Sequence, residues 1–168
     1  MDTEKRRNRI CEILSSSSGP VSASSMASEL HCSRQIIVGD IAILRASGHD
    51  IISTPRGYTI GSSSFPFIGI IACSHTKNRL LEELYTIVDY GGTVIDVTVE
   101  HAVYGQLQGM LNVSSRYDAD RFMQTAEEEG SKPLSSLTGG IHLHHIGCKD
   151  KSTFEIIKDK LSEKGIAL

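Results

Sequence analysis

Three histidines fall within four positions toward the C-terminal end of this chain. They lie in the run Gly139-Gly140-Ile141-His142-Leu143-His144-His145, which Gly147 closes. On a β-strand, successive side chains point to opposite faces. His142 and His144 then share one face, and Ile141, Leu143 and His145 share the other. Two imidazoles at i and i+2 can hold one cation between them, and imidazole is the commonest metal-ligand side chain. The run reads as a strand carrying half of a metal site. The competing reading is a strand whose neutral histidines are satisfied by backbone partners, without any metal. The run is internal and mixed with Ile and Leu, so it is not a purification tag.

A chain of 168 residues, 39% hydrophobic, has room for one or two domains with modest cores. The longest apolar stretch, Phe65 to Cys73, is too short to cross a bilayer and contains Pro66 and Gly69. The first residues are charged and no apolar signal-peptide core follows, so a cytoplasmic protein with no membrane partner is expected. The four cysteines, Cys11, Cys32, Cys73 and Cys148, form no CxxC pair. In a reducing compartment they read as small buried hydrophobes, which leaves nitrogen and oxygen donors for any metal. The net charge of −3 is uneven. Residues 1–62 hold seven Lys/Arg against six Asp/Glu, and residues 63–168 hold ten against fourteen. Within the nearly neutral first part, Lys5, Arg6, Arg7 and Arg9 cluster. Clustering matters more than a total for a phosphate-binding face.

From the N terminus, Thr3 to Leu14 reads as a helix, with Ile10, Ile13 and Leu14 at helical spacing. Serines, Gly19 and Pro20 end it. Ser22 to Leu30 reads as a second helix, striped by Met26, Ala27 and Leu30. After a His31-Cys32 turn, Ser33 caps a third helix to about Ser47, with Ile37, Ile41 and Leu44 inward. Ile51-Ile52 and Tyr58-Thr59-Ile60 flank a Thr54-Pro55-Arg56-Gly57 turn and suggest a small hairpin. With Ser33-Arg34-Gln35-Ile36-Ile37, Asp40-Ile41, Leu44-Arg45, Gly48 and Gly57-Tyr58, residues 3–61 resemble the biotin-repressor-type winged helix-turn-helix. That resemblance implies operator DNA as a partner. A major groove admits one helix, and the N-terminal end of the third helix is free to enter it. Ser33, Arg34 and Gln35 then meet phosphates or base edges, Val38 meets thymine methyls, and Arg56 meets the backbone from the wing tip. The alternative is a winged helix used for protein contacts.

Gly61 to Pro66 reads as a linker. Beyond it come a strand at Phe67 to Cys73, a helix at Thr76 to Val88, and strands at Thr93 to Val99 and Gln106 to Val113. A helix from Arg116 to about Glu129 and a loop at 130–138 lead to the histidine strand. A last helix runs from Lys151 to Lys164. The expected fold class is α+β: an N-terminal winged helix-turn-helix domain, residues 1–62, then a βαββαβα sandwich domain, residues 66–168.

Four stretches of this second domain carry a further resemblance: His75-Thr76, Val88-Asp89-Tyr90-Gly91-Gly92, Glu100-His101-Ala102-Val103-Tyr104-Gly105, and Pro133 through His144. Together they resemble the three-histidine domain of niacin-responsive transcriptional repressors. Ala102 and His145 depart from residues common there, proline and threonine. The resemblance implies a divalent transition-metal site of His75, Glu83, His142 and His144, with nicotinic acid as effector. It also implies repression of NAD-synthesis or niacin-uptake genes. Helical periodicity agrees with Glu83 over Glu82, because Glu83 borders the stripe of Leu80, Leu84 and Ile87 while Glu82 points away from it. Eight residues of unbroken helix span about 12 Å, so His75 reaches Glu83 only from a loop that precedes the helix and folds back. Three imidazoles and a carboxylate suit zinc, nickel, iron or copper over magnesium or calcium. One ion per chain is expected, nickel or zinc first. Donors for the nicotinate carboxylate are sought in Tyr104, Ser135, Ser136, Thr138, Arg116 or the Gly139-Gly140 amides, with His101 lining the pocket.

The expected function is a metal-containing, niacin-responsive repressor acting as a homodimer, and not an enzyme. A metal-sensing repressor is a second possibility. A small metalloenzyme fused to a DNA-binding module is a third, but no nucleophile or acid–base pair stands out apart from the ligand candidates.

Overall fold

The computed structural model describes residues 2–61 and 65–168, so the middle of the expected linker, residues 62–64, lies outside the described residues. The chain divides into two compact units, Met1–Ser63 and Ser64–Leu168.

In the first unit, α1 (Thr3–Ser16), α2 (Ala23–Glu29) and α3 (Arg34–Ala46) precede a hairpin of β1 (Ile51–Thr54) and β2 (Gly57–Ile60). The hydroxyls of Ser22 and Ser33 cap α2 and α3 by accepting backbone N–H groups of Ser25 and Ile36, at 3.0 and 3.3 Å. The apolar stripes close one core from Ile10, Leu14, Met26, Ala27, Ile37, Ile41 and Leu44. Val21 and Tyr58 exchange both backbone hydrogen bonds, at 2.8 and 2.9 Å, so the segment ahead of α2 holds the wing. That approach requires glycine at position 57. Its φ is +136°, and a Cβ there would lie 2.3 Å from the Val21 carbonyl oxygen.

The basic cluster of α1 is mostly engaged within the protein. Arg6 Nε and Arg7 Nε donate to the two carboxylate oxygens of Asp40, at 2.6 and 2.9 Å. Arg9 pairs with Glu12 and Glu29. Asp40 is buried on α3, and burial pushes its carboxyl up, but the two guanidiniums outweigh that and hold it below its usual range. Three of the four clustered cations therefore lock α1 to its neighbours, which corrects the expectation of an open phosphate-binding face there.

The second unit runs β3 (Phe67–Ser74), α4 (Leu80–Asp89), β4 (Thr93–His101), β5 (Gly105–Val113), α5 (Arg116–Glu128), β6 (Ile141–Cys148) and α6 (Lys151–Glu163). The fold is α+β, in the βαββαβα order. The strands form one antiparallel sheet in the order β3-β6-β4-β5, which puts the histidine strand inside the sheet. Helix residues Leu80, Leu84, Ile87, Ala119, Phe154, Ile157 and Leu161 pack on Ile71, Cys73, Val94, Leu111 and Ile146 of the sheet. Ile68, Ile70, Met110 and Ile141 remain exposed on strands.

Two local features differ from the sequence reading. Helix α4 starts at Leu80 after a 3₁₀ turn, Lys77–Arg79, and the expected loop at 130–138 contains a second one, Leu134–Thr138. The β4–β5 ladder also shifts register between Val94 and Asp96, where Asn112 adopts a φ of 51°. An extra residue of this kind bends a strand locally.

Candidate metal centre and nucleic-acid interface

His75 follows β3, Glu83 lies on α4, and His142 and His144 lie on β6. All four are buried, and Glu83 is 0% exposed. His75 Nε2 lies 2.7 Å from Glu83 Oε2, and His142 Nε2 lies 3.1 Å from Oε1. His144 Nε2 lies 3.4 Å from Oε2 and has no hydrogen-bond partner among the described residues. The His142 ring stands edge-on to the other two, with centroids 4.9 Å from His75 and 4.8 Å from His144. The 3₁₀ turn gives the fold-back that lets His75 reach Glu83 despite their spacing of eight. Glu82 instead pairs at the surface with Arg79 and Lys164.

The opposite ring nitrogens explain the orientation. His75 Nδ1 donates to the Thr76 carbonyl at 2.8 Å, His142 Nδ1 to Gly140 at 2.8 Å, and His144 Nδ1 to Asp96 at 2.5 Å. A carbonyl oxygen only accepts, so each Nδ1 carries a proton. In the neutral rings, three Nε2 lone pairs then face one carboxylate. Acceptors facing acceptors in a buried site require protons or a cation between them. The first remedy, protons, agrees with the direction of the shifts at these groups. Glu83 pulls His75 upward more strongly than burial pushes it down. Burial lowers His144 more than any single contact raises it, but the charge and hydrogen bond of Glu83 together with Asp96 outweigh it and the net shift is upward. Burial raises Glu83, yet the histidines carry it well below its usual value. Three imidazole nitrogens, one of them the orphaned buried Nε2 of His144, and one carboxylate are the donor set of a divalent transition metal, so these residues fit such an ion.

Gly140 shapes this corner. Its φ is +100°, and a Cβ would lie 2.4 Å from the His75 carbonyl oxygen. Sequence reasoning set Cys73 aside as a small buried hydrophobe, and it is 0% exposed. It faces His142 in the β3–β6 ladder, and its sulfur, a Glu83 oxygen and a His142 nitrogen all lie within 4.8 Å of one another. Burial, then the Glu83 carboxylate, pushes the Cys73 thiol far up.

The expected effector residues are spread more widely. His101 Nδ1 accepts from the Val103 and Tyr104 amides, and the ring stacks on the exposed Tyr104, so this pair closes the β4–β5 turn. Arg116 grips Asp89 through two bonds, at 2.8 and 2.5 Å, and lies over the Tyr85 ring. Ser136 donates to the Pro133 carbonyl. The Gly139 and Gly140 amides both point to the Ser135 carbonyl. Thr138 donates to the Ile141 carbonyl and lines a cavity of about 290 Å³ with Thr98, Gln106 and His142. A larger cavity, about 950 Å³, is walled by Leu80, Leu81, Val97, Met110, Phe122 and Met123, with Lys77 and Lys132 at its lining. The sequence offers no signal for it, because its walls come from separate elements.

In the first unit, Ser33 caps α3, and Arg34 and Gln35 are exposed on its first turn. Val38 packs partly against the core, and Arg56 is exposed in the wing turn. Arg45 is occupied, donating to the Ile51 carbonyl and the Ser53 hydroxyl, both at 2.7 Å.

An exposed recognition turn on the third helix of a winged unit defines the helix-turn-helix class, and residues 6–59 match the HTH domain. Residues 68–168 match the 3H domain. The chain is 40% identical over 165 residues to the "Probable transcription repressor NiaR" of Thermotoga maritima, covering 98% of this chain and 94% of that protein. It is 35% identical over 167 residues to the "Transcription repressor NadR" of Bacillus subtilis, covering 97% and 93%. The chain belongs to this family of helix-turn-helix transcription repressors with a 3H domain.

Proposed function

We propose that this chain is a niacin-responsive transcription repressor of NAD-synthesis and niacin-uptake genes. In this reading it is cytoplasmic, has no catalytic role, and binds a symmetric operator as a homodimer. Ser33, Arg34, Gln35, Val38 and Arg56 form its DNA contacts. His75, Glu83, His142 and His144 hold one divalent transition ion per chain, nickel or zinc. The observation that carries the reading is the convergence of three Nε2 atoms on one buried carboxylate, in a chain that also has a helix-turn-helix unit.

The ion supplies an electrophilic position that a pyridine nitrogen can fill. The chain's own residues do the rest. The carbonyls of Thr76, Gly140 and Asp96 fix the tautomer of each ring, as outer partners of metal-bound histidines commonly do. The larger cavity supports an aromatic carboxylate as effector. Leu81, Val97, Met110, Phe122 and Met123 suit a ring face, and Lys77 and Lys132 suit the negative charge. Its walls include Leu80, one helical turn ahead of Glu83, and Val97, next to the residue whose carbonyl orients His144.

The test titrates operator binding with nicotinate and with metal separately, on promoter DNA of the chain's own NAD-synthesis genes. Tightening by nicotinate in metal-loaded protein alone is expected. Tightening by metal without nicotinate makes the cation itself the signal. Indifference to both removes the reading.

A further inference from the structure

The buried cluster contains a donor that the three histidines and Glu83 do not exhaust. Cys73 is 0% exposed and sits opposite His142 in the antiparallel ladder of β3 and β6. Directly opposed residues of an antiparallel pair project to the same face. Its sulfur therefore points where the imidazoles point, and it lies within 4.8 Å of both a Glu83 oxygen and a His142 nitrogen. A second observation marks this spot as a ligand position. His144 Nε2 is buried at the same carboxylate without a hydrogen-bond partner among the described residues. Cys148 provides an internal contrast. It is buried to nearly the same degree and lies on the same strand as His142 and His144, but it pairs with Phe67 at the other end of the β3–β6 ladder, six positions from His142.

We propose that Cys73 is a further metal ligand, adding one thiolate sulfur to the donor set of His75, Glu83, His142 and His144. The proposal rests on the metal reading above. As the metal–sulfur bond forms, the sulfur–hydrogen bond breaks and its proton passes to solvent; no oxidant or reductant is required. A cation in the cluster reverses the local charge logic, because a coordinating thiol is deprotonated outright. A sulfur donor also narrows the ions accepted. It favours zinc, cobalt, nickel or copper and disfavours magnesium, calcium and manganese, which take oxygen donors.

The full-length protein is stripped with a chelator, reloaded with cobalt(II) and examined by absorption spectroscopy. A near-ultraviolet thiolate-to-cobalt charge-transfer band is expected in the wild type and in Cys148→Ser. It is expected to vanish in Cys73→Ser and Cys73→Ala while the visible d–d bands of bound cobalt persist. Zinc affinity, read by competition with a chromophoric chelator, should fall about tenfold or more in both Cys73 variants, as it does for disturbed metal surroundings generally. Circular dichroism of the metal-free variants checks their fold. Should neither fold, the wild type and Cys148→Ser still decide. Cobalt d–d bands without the charge-transfer band in the wild type overturn the proposal, and so does a band that survives in Cys73→Ser. Both results leave the metal reading standing. Failure of the wild type to bind cobalt at all overturns both.

Discussion

In the metal-free protein, the three Nδ1 atoms are already committed to carbonyls, so protons at Nε2 decide the charge of the cluster. Glu83 titrates below its ordinary 4.5, which gives stability that is present above that pH and lost as pH falls through the folded value. His75 and His144 titrate above their ordinary 6.5. Their contribution is complete below 6.5 and is lost as pH rises through the folded values. Metal-free protein is therefore expected to melt highest between about 4.5 and 6.5 and to weaken above that window. Zinc-loaded protein should show the opposite slope, gaining stability as pH rises, because protons and metal compete for the same nitrogens. Melting curves across that range check both signs, and a metal-free melting temperature that climbs through 6.5 would place the protons elsewhere. Single residues were unevenly legible. Glu83 was separable from Glu82 because the helical stripe runs through Leu80, Leu84 and Ile87. Cys73 was not, because a cysteine without a CxxC partner has no spacing to read; only strand register brings it to His142. Arg116 looked available because its partner, Asp89, lies 27 positions away.

Among the elements, α3 and the turn before β6 carry the sharpest consequences. Arg34→Ala or Gln35→Ala should weaken specific operator binding by about 1–3 kcal/mol if the side chain reads a base. The same variants should leave metal content unchanged. Fluorescence anisotropy on the operator measures the first effect, and unaltered affinity in both would take this turn out of base readout. Gly140→Ala should destabilise the C-terminal domain by about 1–3 kcal/mol through backbone strain alone. The clash with the His75 carbonyl adds to that, so bound metal should fall as well. At Gly139 the φ is also positive, but a Cβ meets open space. Gly139→Ala should therefore cost about 1 kcal/mol and retain metal. Equal melting temperatures and metal contents for the two variants would contradict the steric account. The stripes of α1 to α4 were legible because burial imposes a period on the sequence. The two 3₁₀ turns were not, since Lys77–Arg79 and Leu134–Thr138 carry no apolar period of their own. The bulge at Asn112 was hidden for the same reason: it changes pairing and leaves the alternation intact.

For the whole molecule, effector and operator are expected to be linked. Nicotinate shifts operator binding only if it binds the DNA-competent state more tightly, since equal affinity for both states shifts nothing. Operator DNA must then tighten nicotinate by the same factor, and a coupling of about 1–3 kcal/mol, roughly 5- to 150-fold, is typical. Calorimetry of nicotinate binding with and without operator measures that factor. Benzoate lacks the ring nitrogen and nicotinamide lacks the charge, so both should bind poorly. A benzoate response equal to that of nicotinate would make the metal structural. The order of elements across the chain was readable because each unit closes its own core. The use of its charge was not. Arg6, Arg7 and Arg9 read as a free basic cluster until Asp40, Glu12 and Glu29 are seen to hold them.

The groups that aim the three imidazoles are all peptide carbonyls: those of Thr76, Gly140 and Asp96. Every amino acid supplies a carbonyl, so no particular side chain has to be inherited for the rings to stay aimed. Substitution at Thr76 or Asp96 can alter the surroundings while the acceptor itself persists. The centre is thereby insulated from sequence drift around it, and what must be preserved is the path of the backbone.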